Sequence, residues 1–209
     1  MNRERGVAQC LMLDVDGVAV TGHPEDGRSW AADIEQDLGI DPHRLQDVFF
    51  APCWGDIVLG RKNLMDALRA CLPTLSASVT PEEFLEYWFS RDARLNEAVI
   101  GACDVLRRRG WRIFFATNQE HLRARYLMER LGLGRHVDGM IYSARIGAKK
   151  PEGAFFKAAA RISGAAPEKL ILVDDSESNV AAARQAGWAA HHWTDGDDLL
   201  MLLQDRKTG

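Results

Sequence analysis

Two aspartates, Asp14 and Asp16, follow the apolar run Leu11-Met12-Leu13 and are themselves followed by Gly17. Side chains two positions apart in an extended chain point the same way, so both carboxylates are expected beyond the carboxyl end of a strand. Gly17 lets the backbone turn sharply after them. Two ionised carboxylates about 4 Å apart repel by roughly 4 kcal/mol at an effective dielectric of 20, and a divalent cation or a proton on one acid relieves that. Similar endings recur: Trp111–Ala116 runs into Thr117-Asn118, and Leu170–Val173 runs into Asp174-Asp175. Thr117 offers a hydroxyl and Asn118 an amide ahead of a helix, a natural seat for a phosphate oxygen. Lys150 adds a positive charge just ahead of another helix start at Pro151. An oxygen-only ligand set of this kind suits magnesium better than zinc.

The elements that must position these residues can be read from the pattern of apolar positions. Leu11–Leu13 and Leu170–Val173 are continuous apolar runs rather than alternating ones, as expected of strands buried on both faces in a parallel sheet. From Asn96 onward such runs alternate with helical segments, which implies an α/β fold with a doubly wound parallel sheet and right-handed crossovers. Strands are expected at Trp111–Ala116, Val137–Tyr142, Leu170–Val173 and Trp188–His192. Pro151 is expected to open a helix with Phe155, Ala159 and Ile162 on one face. Between Thr21 and Leu95 the texture is helical. Ser29 can cap a segment ending at Gly39, Asp41-Pro42 starts one that reaches Phe49 and Phe50, a third covers Asn63 to Leu72, and Thr80-Pro81-Glu82-Glu83 reads as a capping box. The chain therefore divides into a sheet domain, residues 1–20 and 96–209, and a small inserted α-helical domain, residues 21–95.

At 209 residues, 46% hydrophobic and 27% charged, with a net charge of −4, the chain suits one soluble domain with an insertion. That charge argues against a general nucleic-acid surface, and Arg107-Arg108-Arg109 reads as a helix end. No stretch approaches a membrane span, and Asp14 and Asp16 interrupt the first apolar run too early for a signal peptide, so a cytoplasmic protein is expected. Cys10, Cys53, Cys71 and Cys103 form no CxxC pair and are expected as reduced, buried thiols.

Taken as a set, DVDGV at Asp14–Val18, TN at Thr117–Asn118, KPE at Lys150–Glu152 and VDDSESN at Val173–Asn179 resembles the four motifs of the haloacid dehalogenase-like (HAD) hydrolase superfamily in order and spacing. The resemblance covers nearly the whole chain and implies a Rossmann-like core, with residues 21–95 as that family's helical cap between the first and second motifs. It implies that Asp14 is the nucleophile toward phosphorus and that Asp16 protonates the leaving oxygen and later activates water. Thr117 and Lys150 would hold phosphoryl oxygens, helped by the backbone near Asn118. Magnesium would be bound by Asp14, the main-chain carbonyl of Asp16, and Asp174, with Asp175 ligating or holding a metal-bound water. Val18 and Ala19 depart from the family's common Thr and larger aliphatic, which touches local packing rather than the carboxylates. Dehalogenating members do not need the second aspartate, so Asp16 favours phosphate chemistry over carbon–halogen cleavage.

The function implied is magnesium-dependent hydrolysis of a small phosphomonoester, a sugar phosphate or nucleotide. A phosphomutase of the same family and a non-catalytic phospho-ligand binding module are the competing readings. Trp54 and Arg61, with His23 and Asp56, are candidate substrate contacts in the insertion. His121 is expected on a helix surface, Asn179 near the Asp174/Asp175 pair, and His191-His192 on opposite sides of a strand.

Overall fold

The computed structural model describes residues 9–204. The first strand, β1 (Cys10–Leu13), leads into five short helices, α1 (Ile34–Leu38), α2 (Pro42–Leu45), α3 (Ala51–Ile57), α4 (Leu64–Leu75) and α5 (Pro81–Arg91). Then follow α6 (Glu97–Arg108), β2 (Arg112–Thr117), α7 (His121–Arg125), β3 (Gly139–Tyr142), α8 (Ser143–Ile146), α9 (Gly153–Ser163), β4 (Leu170–Asp174), α10 (Glu177–Gln185), β5 (Ala189–His192) and α11 (Leu199–Leu202). The five strands form one parallel sheet in the order β3-β2-β1-β4-β5, the doubly wound arrangement expected from the alternation.

Strand pleat sorts the apolar runs onto two faces. Leu11, Leu13, Ile113, Phe115, Ile171 and Val173 pack with Val99, Ile100, Cys103 and Leu106 of α6. Cys10, Met12, Phe114, Ala116, Leu170 and Leu172 pack with Phe155, Phe156 and Ala159 of α9 and Val180 and Ala183 of α10. Both faces are covered, which is why the strands read as unbroken apolar runs. Each fully buried Leu, Ile or Phe contributes about 1.5–3 kcal/mol relative to exposure. The expected α9 face is corrected at one position. Phe155 and Ala159 are buried but Ile162 is 48% exposed, because the helix starts at Gly153 and turns Phe156 and Ser163 inward instead.

The insertion has its own apolar cluster, including Ile34, Phe49, Ile57, Leu64, Leu68, Leu72, Phe84 and Trp88. Within it Trp30 stacks on Trp88 with centroids 5.0 Å apart, and Phe50, Trp54 and Phe84 also pack against Trp88. Asp41 caps α2 through the N–H groups of His43 and Arg44, and Thr80 and Glu83 form the reciprocal capping box of α5. The sequence reading set three boundaries differently. The Ser29 side chain closes only a local turn with Ala31, leaving α1 to begin at Ile34. Beyond α2 the helix does not stop at Phe50 but continues through a π turn, Gln46–Phe50, into α3. α4 runs past Pro73 to Leu75, where Arg44 donates to the otherwise unpaired carbonyl of Thr74.

The two chain crossings between insertion and sheet lie side by side. Thr21 N–H donates to Arg94 O, Arg94 N–H to Gly22 O, and Asn96 N–H to Ala19 O, each at 2.9 Å. All four cysteines are free and buried. Among the described residues no helix is long and apolar enough to cross a membrane.

Candidate active site

The strand order reverses at β1: β2 and β3 extend the sheet on one side, β4 and β5 on the other. Such a switch point leaves a crevice beyond the carboxyl ends of the central strands. Asp14 N–H still donates to Val173 O (2.9 Å), so Asp14 closes the β1–β4 ladder. Directly after it the N–H groups of Val18, Ala19 and Val20 all turn onto Val15 O. Asp16 is swung to Gln119, whose Nε2 donates to Asp16 Oδ2 at 2.5 Å. Asp174 and Asp175 gather around Asp14, with one oxygen of each of the three within 4.8 Å of the others, and Asp16 adds its charge to theirs. Gly17 is required here twice over. Its φ is +79°, and a Cβ would sit 2.2 Å from Asp175 Oδ2.

Lys150 lies between two of these acids, its Nζ 2.9 Å from Asp14 Oδ2 and 2.5 Å from Asp174 Oδ2. It is 2% exposed. Asn118 fixes the lysine's backbone from both sides, donating to Lys150 O (2.9 Å) and accepting from Lys150 N–H (2.8 Å). The Asn118 side chain is therefore committed to Lys150, and only its main chain remains for a ligand. Asp174 is fully buried, with Oδ1 accepting from Ser176 N–H (3.0 Å) and Asn179 Nδ2 (2.9 Å). Thr117 is buried at the end of β2, and its hydroxyl has no hydrogen-bond partner among the described residues.

Burial and mutual repulsion dominate the electrostatics. Loss of hydration pushes the Asp14 carboxyl up to about 7, opposed by Lys150 and reinforced by Asp174. Asp16, though exposed at the crevice mouth, is pushed up to about 6 by partial loss of hydration first and by Asp92 second, with Arg123, Lys150 and the Gln119 hydrogen bond pulling the other way. Asp175 is raised by burial and by Asp174. For Lys150, burial alone would favour the neutral amine, but Asp14 and Asp174 outweigh it and hold the ammonium above its ordinary range. Three carboxylates against one ammonium leave two formal negative charges in a cluster of hard oxygen donors. A divalent cation of the magnesium type fits that donor set and that deficit.

Several residues that matter here were not singled out from the sequence. Gln119 is one. Arg123, only 2% exposed, donates to Phe89 O (3.0 Å) and to Asp92 O, and lies 3.2 Å from the Asp92 carboxylate, so it ties α7 to the end of the insertion. Glu120 caps α7 through the N–H groups of Leu122 and Arg123. A capping-residue signal was available for Glu120, whereas a buried arginine in a polar helix has no local signature.

The structure does not bring the insertion candidates into the acid cluster. Trp54 is half-buried among Phe50 and Trp88 as part of the aromatic packing. Arg61 is exposed and pairs with Asp56 at 3.0 Å. His23 meets Arg91, and His121 meets the Tyr142 hydroxyl (3.2 Å). His192 Nε2 contacts Asp175 O (2.8 Å), a positioning contact, and neither His191 nor His192 belongs to the acidic cluster. The insertion meets the start of α8 at Val58, whose carbonyl accepts from Ser143 Oγ at 2.6 Å.

Comparison with known proteins gives a consistent result. The family model described as haloacid dehalogenase-like hydrolase matches residues 8–187. The "Phosphorylated carbohydrates phosphatase" of Thermotoga maritima is 26% identical over 117 residues, 54% of this chain and 54% of its own length, so the chain spans about half of that relative. The "Phosphoglycolate phosphatase, plasmid" of Cupriavidus necator is 27% identical over 183 residues, 85% of this chain and 77% of its own. Among solved structures, a HAD family enzyme of Bacteroides thetaiotaomicron in complex with magnesium and inorganic phosphate superposes with a TM-score of 0.77 at 16% identity, covering 94% of this chain and 99% of that one. The L-2-haloacid dehalogenase of Xanthobacter autotrophicus superposes with a TM-score of 0.61 at 15% identity, covering 97% and 84%. At such identities the likeness is one of fold.

Proposed function

This chain belongs to the haloacid dehalogenase-like hydrolase family, and from that premise we propose that it is a magnesium-dependent phosphomonoesterase acting on a small phosphorylated metabolite. The observation that carries this reading is the buried Lys150 bridging Asp14 and Asp174, with Thr117 buried at the end of the neighbouring strand β2. A tetrahedral dianion needs a cation and a donor at one spot and a nucleophile facing its phosphorus, and those are the groups gathered there.

In this reading the Asp14 carboxylate attacks phosphorus while the bond from phosphorus to the ester oxygen breaks, and Asp16 gives that oxygen its proton. Asp14 then carries the phosphoryl group as an acyl phosphate. Asp16, now ionised, takes a proton from water as the water oxygen attacks phosphorus, which frees Asp14 and inorganic phosphate. Lys150 and Thr117 hold the non-bridging oxygens throughout. Asp14, Asp174, Asp175 and the main-chain carbonyl of Asp16 would hold the magnesium, which when bound offsets negative charge on the phosphoryl oxygens. Residues 21–95 act as a cap that supplies contacts to the rest of the substrate. A separate apolar cluster and adjacent chain crossings support that division. The phosphatase names of the Thermotoga and Cupriavidus relatives support a sugar phosphate or a small phosphorylated acid as substrate class.

The test is phosphate release across a panel of sugar phosphates, nucleotides and small phosphorylated acids, with and without magnesium. Turnover of at least one compound is expected, and only with the metal. Absence of magnesium-dependent turnover across the whole panel would overturn the reading.

A further inference from the structure

We propose that Gln119 is the positioning residue for the leaving-group acid. Its side-chain amide anchors the Asp16 carboxyl and sets that group's orientation. The inference rests on the reading of Asp16 as the acid and adds the group that orients it. Gln119 is 4% exposed, and its Nε2 donates to Asp16 Oδ2 at 2.5 Å. The other carboxyl oxygen, Oδ1, has no hydrogen-bond partner among the described residues.

Gln119 holds Asp16 by Oδ2 and so leaves Oδ1 as the oxygen available to a leaving group. It also fixes the rotamer of a side chain that follows a sharp turn and has no second anchor. The glutamine is itself held. Its main-chain carbonyl accepts from Ala144 N–H (3.1 Å) and Ser143 Oγ (3.2 Å), and the preceding Asn118 is locked to Lys150. Three consecutive residues at the end of β2 thus address three parts of the reaction. Thr117 faces the phosphate, Asn118 sets the lysine, and Gln119 sets the acid.

The experiment compares kcat/KM for a series of phosphomonoesters whose leaving groups differ in basicity, from p-nitrophenyl phosphate to alkyl phosphates, on the magnesium-loaded protein. This parameter reports phosphoryl transfer to Asp14, the step in which the leaving oxygen needs its proton. Gln119→Met removes the donor at similar volume. It should lower kcat/KM for alkyl phosphates by about tenfold to a hundredfold, yet for p-nitrophenyl phosphate, which leaves without help, by less than about threefold. Gln119→Glu, which keeps the shape but replaces the donor with an acceptor, should give the same selective loss, and it serves if the methionine variant does not fold. A uniform loss across the series, or none, would overturn the assignment. Asp16→Asn is the control that separates the two claims. If its own loss were flat across leaving groups, the acid assignment of Asp16 would fall, and the role given to Gln119 with it. If its loss were steep while both Gln119 variants were flat, only the positioning role would fall.

Discussion

Asp14, Thr117, Lys150 and Asp174 come from four distant parts of the chain, and the three charged ones are tied to partners on other strand ends. Trp30, Phe50, Trp54, Phe84 and Trp88 come from one stretch and are held by ring packing alone. The first cluster is built from buried charge, so removing Lys150 leaves uncompensated carboxylates in a place with little water. The second is built from apolar volume, where a substitution loses contacts and leaves a gap but unbalances no charge. Changes in the strand-end cluster should therefore show up in chemistry, metal dependence and pH dependence. Changes in the aromatic cluster should show up in stability.

The largest effect is expected from Asp14→Asn, which should reduce turnover by at least about a thousandfold while leaving the protein folded, as phosphate release and circular dichroism would report. The same variant sharpens the comparison through its pH dependence. Asp14 is raised from 3.8 to about 7 in the folded chain. Between those values the folded state keeps a proton that the unfolded state has released, so this group opposes folding increasingly as pH rises through the window. In metal-free protein the stability of Asp14→Asn relative to the parent should grow from pH 4 to 7 and level off above it. A difference that shrank with rising pH would show that Asp14 is held ionised.

Lys150→Met comes next. It should depress all substrates by a similar factor, since every one presents the same phosphate to the ammonium, and destabilise the metal-free protein by about 3–5 kcal/mol. Magnesium should restore part of that stability, because binding only the folded state shifts unfolding by mass action. Thermal unfolding in chelator against unfolding in excess magnesium measures both, and identical losses in the two conditions would break the argument.

On the other side of the comparison, Trp88→Ala should lower stability by about 3–5 kcal/mol with magnesium affinity unchanged. The smallest effect belongs to Arg61→Ala. An exposed pair with Asp56 is worth at most about 1 kcal/mol, so its removal should leave unfolding almost untouched. As a residue of the proposed cap it should alter the ranking of substrates through kcat/KM. A change in metal affinity from Trp88→Ala, or an equal fall for all substrates from Arg61→Ala, would blur the two regions into one.

The strand-end acids were legible because a doubly covered parallel strand must be apolar until it stops, so a carboxylate at the stop stands out. Asp14, Asp174 and Thr117 could be found that way, and Lys150 by its place ahead of the helix start at Pro151. The partnership within the site could not. Alternation puts Asp14 and Asp16 on one side, and Asp16 does bear on Asp14, but nothing local shows that Lys150 and Asp174, remote in sequence, act on it more strongly. Gln119 and Arg123 owe their roles to residues remote in sequence, Asp16 and Asp92, and no local spacing marks such contacts. Trp54 was ambiguous for a different reason. An aromatic ring on a helix suits a ligand and a neighbouring ring equally well, and only the position of Trp88 decides between them.

The paired crossings at Thr21–Gly22 and Arg94–Asn96 bear on how the chain tolerates length. Because the two strands of the crossing meet through a few main-chain hydrogen bonds, the sheet experiences everything between them as one loop whose ends already touch. The closure entropy of such a loop rises only logarithmically, about 0.6 kcal/mol for each doubling of its length. The register of β1 on β4, and with it the place of Asp14 beside Asp174, is thus almost indifferent to how many residues the loop contains. An insertion can lengthen, shorten or be exchanged for another without the catalytic acids having to move, so new specificity can be acquired on an unchanged chemical base.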